Sequence, residues 1–145
     1  MNEPSLWQAS SNEDMHAYRF LWLRTFDAPI AIRLEIDSEG TGLLFAKSTD
    51  GKAGYWPGNL VTDDVHNLTT DQIDGFFGKL DQAQFWQLPS TDYSQQGFDG
   101  ADWVVEGVKD GRYHVVVRWL PGGTPFRELA LHMVELSGLK VDKVY

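Results

Sequence analysis

The residues best suited to chemistry lie in one patterned stretch, "GADWVVEGVKDGRYHVVVRWLPGG", residues 100–123. Glu106, His114 and Arg118 fall there at spacings that a hairpin can gather. A glutamate beside a histidine tunes a proton acceptor toward neutral pH, and an arginine nearby can hold a carboxylate or phosphate. The chemistry would be acid–base work on an anionic substrate. The same residues also describe the wet face of a hairpin carrying complementary charges. Elsewhere the chain has no G-x-S-x-G elbow, no phosphate-binding Walker loop and no H-E-x-x-H pair.

Other residues suit binding rather than reaction. Tyr55 and Trp56 in "GYWPG" are the residue types that dominate interface centres, although such rings can also fold back onto a sheet. Asp63, Asp64, Asp71 and Asp74, with Asp81, make an acidic ridge fit to cover a basic cleft, or simply the solvated start of a helix. In "DDVH", Asp63 and Asp64 stand near His66, a mixed oxygen and nitrogen donor set for a cation. Lone acid–histidine neighbours are ordinary in loops, so no metal and no cofactor is expected. His132 lies beside core positions of the last helix and reads as structural.

The elements that position these groups are legible from periodicity. "YRFLWLRTF" places Tyr18, Phe20, Trp22 and Phe26 on one face, and "PIAIRLEID" alternates Ile30, Ile32, Leu34 and Ile36 against Arg33, Glu35 and Asp37. Period two is the mark of a half-buried antiparallel strand. "TGLLFAKS" continues a meander, and "NLVTDDV" offers a further short strand. The period then changes. Thr69 and Gln72 form a capping box ahead of Ile73, Phe76, Phe77 and Leu80, an amphipathic helix. Phe85, Trp86 and Leu88 anchor its exit before Pro89. Thr124, Pro125 and Gly138 bracket a second helix whose buried stripe is Phe126, Leu129, Ala130, Met133 and Leu136. The order β-β-β-(β)-α-β-β-α predicts an α+β domain over residues 16–145: an antiparallel sheet, meander plus C-terminal hairpin, with two helices packed on one side. Residues 1–15 read as a polar arm that Leu6 and Trp7 can tack down.

The turn "KDG" sets the expected hairpin register. A three-residue loop with Gly111 left-handed pairs Val108 with Arg112, Glu106 with His114 and Asp102 with Arg118. One face is then Trp103, Val105, Tyr113, Val115, Val117 and Trp119, the core. The other carries Asp102, Glu106, Arg112, His114 and Arg118. The two opposite-charge pairs favour this loop over a two-residue one, at about 0.2–1 kcal/mol each.

The string G-F-D-G-A-x-W-x-x-E-G, followed by G-x-Y-H, R-W, F-R-E-L and L-S-G-L, resembles a pattern found in a family of small uncharacterised bacterial proteins. The resemblance spans about residues 97–139. It implies a bacterial origin and this hairpin-plus-helix module, and it assigns no catalytic residue.

The totals narrow the function. The 145 residues suffice for one domain with a real core, and six tryptophans, eight phenylalanines and five tyrosines make a staple unnecessary. The absence of cysteine excludes disulfides, thiolate metal sites and a cysteine nucleophile. A formal charge of −9, from 21 acids and 12 bases, argues against nucleic acid or an anionic membrane as partner and favours a basic protein. No secretory signal or membrane span is visible, so a cytoplasmic location is expected, unless a signal was removed before residue 1. The leading expectation is a non-catalytic protein-binding domain, an immunity protein that neutralises a toxin partner. A small enzyme or ligand-binding domain using Glu106, His114 and Arg118, or an accessory subunit of a larger complex, are the alternatives.

Overall fold

Alternating apolar residues build a six-stranded antiparallel sheet in the computed structural model, which describes residues 1–94, 97 and 99–145. Its strands are β1 Ala17–Arg24, β2 Ile30–Ile36, β3 Gly42–Thr49, β4 Leu60–Leu68, β5 Ala101–Lys109 and β6 Arg112–Trp119. Their spatial order is β4-β3-β2-β1-β5-β6. The chain thus runs a four-stranded meander outward from β1, then returns to place the β5–β6 hairpin against the free side of β1. The class is α+β.

Two helices, α2 Thr70–Gln82 and α3 Pro125–Ser137, cover one face. Their ends are set as their sequences demand. Gln72 N–H donates to Thr69 Oγ1 while Gln72 Oε1 accepts from Thr69 N–H, at 3.3 and 2.9 Å. Gly138 closes α3 at φ +68°, a conformation that suits a residue without a Cβ. Ile73, Phe76 and Leu80 meet Phe126, Leu129, Ala130 and Met133 above Tyr18, Phe20, Trp22, Ile32, Leu34 and Trp103. Phe77, expected in this core, is only half-buried, with its ring 5.6 Å from His16 and 6.1 Å from Tyr18. Phe26, expected beside Trp22, is exposed because β1 ends at Arg24 and the chain turns there.

Trp22 and Trp103 lie with ring centroids 4.7 Å apart, and both indole N–H groups donate to the main-chain carbonyl of Tyr145, at 3.1 and 3.0 Å. One acceptor therefore satisfies two donors that burial would otherwise leave costly. No helix among the described residues is long and apolar enough to cross a membrane.

The opposite face carries the first residues of the chain. Leu6, in the one-turn helix α1 Leu6–Ala9, is buried against Ala17 and Val108, with Met15 and Tyr113 alongside, while Trp7 stays exposed. Nearby, Glu3 Oε2 accepts from Arg33 Nε at 3.0 Å, and Lys47 Nζ pairs with Glu3 Oε1 at 3.0 Å without a well-directed hydrogen bond. Arg19 donates to the Pro4 carbonyl. The arm is thus held by Leu6 and Glu3, not by Trp7.

The expected hairpin register is wrong by one residue. Asp110 and Gly111 both have positive φ, +52° and +70°, and form a two-residue turn flanked by the Lys109–Arg112 pair. Such primed turns match the right-handed twist of the flanking strands. Glu106 therefore lies opposite Val115, Gly107 opposite His114, and Trp103 opposite Arg118. A slip of one moves every β6 side chain to the other face. Val116, not Val115 or Val117, enters the core, and Tyr113, Val115, Val117 and Trp119 turn to the arm side. The two charge pairs that favoured the longer loop are absent, since Glu106 faces Val115 and Asp102 faces Trp119. Glu106 lies opposite Arg19 of β1; its Oε2 accepts from Nε at 2.7 Å and forms an ion pair with Nη2 at 2.6 Å, both groups being buried.

Candidate protein-binding surface

The Glu106–His114–Arg118 grouping does not exist as a site. Glu106 lies on the arm side of the sheet, bonded to Arg19 and to the Tyr113 hydroxyl, which donates to Oε1 at 2.8 Å. Burial, then this carboxylate, push the Tyr113 pKa well above its ordinary value. His114 lies on the helix side. Its ring sits edge-on to Phe85 at 5.0 Å and stacks on Trp86 at 6.0 Å. Desolvation holds its pKa below the usual histidine range, opposed by backbone hydrogen bonding at Leu88. Nε2 is buried without a partner. Arg118 shares that face, but its guanidinium is spent on main chain, donating to the carbonyls of Val117 and Pro89 at 2.8 and 2.9 Å. It lines a cleft of about 360 Å³ with Gln82, Thr124 and Phe126 at the start of α3. The sheet's backbone separates Glu106 from His114, so neither can tune or relay a proton for the other.

Arg19, Lys47 and Glu3 escaped notice in the sequence, and Arg33 reads there only as part of the polar face of its strand. With Glu106 they form a mostly buried charge network across β1, β2, β3 and β5, extended by Glu35 on Arg33 and by Asp63, 3.9 Å from Lys47. Arg33 also lies over the Phe45 ring at 4.1 Å. The available signal was the charged residue at alternate positions of two strands that pair, Arg19 opposite Arg33.

The binding candidates are displayed rather than folded back. Residues 50–59 leave β3 as a loop tied at its base, where Asp50 N donates to the Asn59 carbonyl and Asp50 Oδ1 accepts from Asn59 N at 2.7 Å. Lys52 N donates to the Trp56 carbonyl at 2.7 Å, and Ala53 and Gly54 reach back to the carbonyls of Arg24 and Thr25. Gly51 lies so close to Pro57 and Gly58 that a Cβ would collide with main chain. The backbone is thus pinned to the body while Tyr55 and Trp56 are 72% and 64% exposed. Phe26, 46% exposed, stands 6.2 Å from Tyr55. A shallow cleft of about 380 Å³ runs between Phe26, Asp27, Asp50 and Trp56.

The acids divide. Asp63 pairs with Lys47 and faces the arm side, Asp64 pairs with Ala46 and faces the helix side, and Asp71 and Asp74 are exposed on α2. Asp63 and Asp64 lie at the middle of β4 and Asp71 and Asp74 on α2, so the four do not form one ridge. His66 shares the face of Asp64 and not of Asp63. Among the described residues, no three acid or histidine side chains gather closely enough to hold a metal ion. Comparison with family models, with curated proteins and with solved structures finds no match.

Proposed function

We propose that the protein is a non-catalytic binding domain of the cytoplasm, an immunity-type protein that neutralises a basic toxin or effector. The observation that carries this reading is the pinned loop that holds Tyr55 and Trp56 outward beside Phe26. Large exposed rings on a fixed backbone lose little freedom on contact, which is what an interface centre requires. The charge supports the choice of partner. No lysine or arginine occurs between Lys52 and Lys79, whereas Asp63, Asp64, Asp71 and Asp74 do. Acids on β4 and at the start of α2, beyond the aromatic loop, speed encounter with a basic surface without touching the centre itself.

The test is capture of the partner from a lysate of the source cell, followed by binding kinetics. Trp56→Ala should raise the dissociation rate by about tenfold or more. Replacing the four aspartates with asparagine should slow association, and the defect should shrink as salt rises. Failure to recover a partner, or an association rate indifferent to salt and to these substitutions, would remove the proposal.

A further inference from the structure

We infer that β4 is a docking edge that takes an extended, lysine- or arginine-bearing segment of a partner protein as a seventh strand. The inference rests on the binding reading above and deepens it. Strand β4 is nine residues long, about 30 Å of backbone at the usual rise, and among the described residues it pairs only with β3. Alternate N–H and C=O groups of an outermost antiparallel strand point outward without a ladder partner. All of β4 is exposed except Leu68 and the half-covered Thr62. It contains none of the lysines or prolines that commonly blunt an edge. Val61 and Val65 are open to solvent, and the displayed aromatic loop leads directly into the strand's first residue.

The charge selects the occupant. Asp63 and Asp64 sit at mid-strand, one on each face. A second copy paired antiparallel about this midpoint would set carboxylate against carboxylate, whichever of the two lay on the axis. Like charges directly opposite destabilise a pair. A strand with basic side chains there would instead meet a carboxylate on either face, its main chain supplying the ladder and its side chains the choice. The same acids thus discourage self-pairing and favour a basic strand.

The experiment uses the whole chain and a blocked nine-residue peptide of lysine, valine and threonine. Two further forms are N-methylated on alternate amides, one set for each edge. The lysine peptide should shift the β4 amide resonances and slow their hydrogen exchange. One N-methyl form should bind as well as the parent and the other should lose about tenfold or more in affinity, because only one edge faces β4. An Asp63→Lys/Asp64→Lys variant with an unchanged melting profile should lose the peptide. Unaltered β4 exchange, equal binding of both N-methyl forms, or sedimentation showing a dimer paired through β4 would each overturn the inference. If the edge fails while Trp56→Ala still loosens a captured partner, the binding reading stands without it.

Discussion

The two outer strands of the sheet, β6 and β4, face the same physical problem and treat it oppositely. Each leaves one row of backbone groups without a neighbouring strand. On β6 the chain supplies a cover. Val117 N donates to the Ser90 carbonyl at 2.7 Å, Thr91 bridges Val117 in parallel, and Arg118 grips the carbonyl of Pro89. The strap is fastened from below, where Phe85 and Trp86 enclose His114. On β4 nothing comparable is present among the described residues, and two aspartates at mid-strand project one to each face. A sheet that closes one edge with aromatics and leaves the other acidic and open has one edge built for stability and one free for contact.

Substitutions should separate the two. The largest effect belongs to Phe85→Ala, which empties a fully buried ring site under the β6 strap and should cost about 3–5 kcal/mol in urea unfolding. Gly107→Ala comes next. Its Cβ would stand 2.8 Å from Phe85 Cε1 and 3.1 Å from the Tyr18 ring, so overpacking of about 1–3 kcal/mol is expected by the same measurement. Arg118→Ala should cost about 1 kcal/mol, because the released carbonyls can turn to water. Its clearer readout is faster hydrogen exchange at Val117, with exchange along β4 unchanged.

A pH series sharpens the contrast further. His114 has its pKa lowered by burial, so between that value and about 6.5 the unfolded chain binds more protons than the folded one. Stability is therefore present above about pH 6.5 and falls as pH drops below it. His16 shifts in the same direction, through desolvation and then the Lys109 charge. His114→Gln should flatten part of this decline in urea midpoints measured from pH 7.5 to about 5.5. The smallest effect is Val65→Thr on the open edge, within about 0.5 kcal/mol.

What the sequence made legible follows the range of the forces involved. The capping box at Thr69, the left-handed Gly138 and the alternation of β2 are decided within a few residues and stand as read, and the stripe of α3 stands except that Val134 is buried where Leu136 is only half-buried. The β6 register was not decided locally. "YHVVVRW" is apolar at three successive positions, and neither face of β6 is freely exposed, so alternation could not choose between them. The tie was broken by a turn in which both Asp110 and Gly111 take positive φ, and by the Tyr113 hydroxyl, which reaches Glu106 only when Tyr113 lies on the arm side. The catalytic alternative failed with it, because it depended on Glu106 and His114 sharing a face. Tyr55 and Trp56 were visible as residue types; their outward pose needed the hydrogen bonds from Lys52, Ala53 and Gly54.

The Tyr145 carbonyl that bridges Trp22 and Trp103 has an optical consequence. Two indoles 4.7 Å apart and inclined at 49° couple their transition dipoles, so the folded chain should carry an exciton pair in its circular dichroism, centred on the deepest part of the core. Because both N–H groups report to one carbonyl near residue 145, a shortened chain ending at Val141 should weaken that signal and alter the buried tryptophan emission before the sheet itself melts. The molecule thus contains its own spectroscopic gauge of whether the last residues are seated, readable without any label.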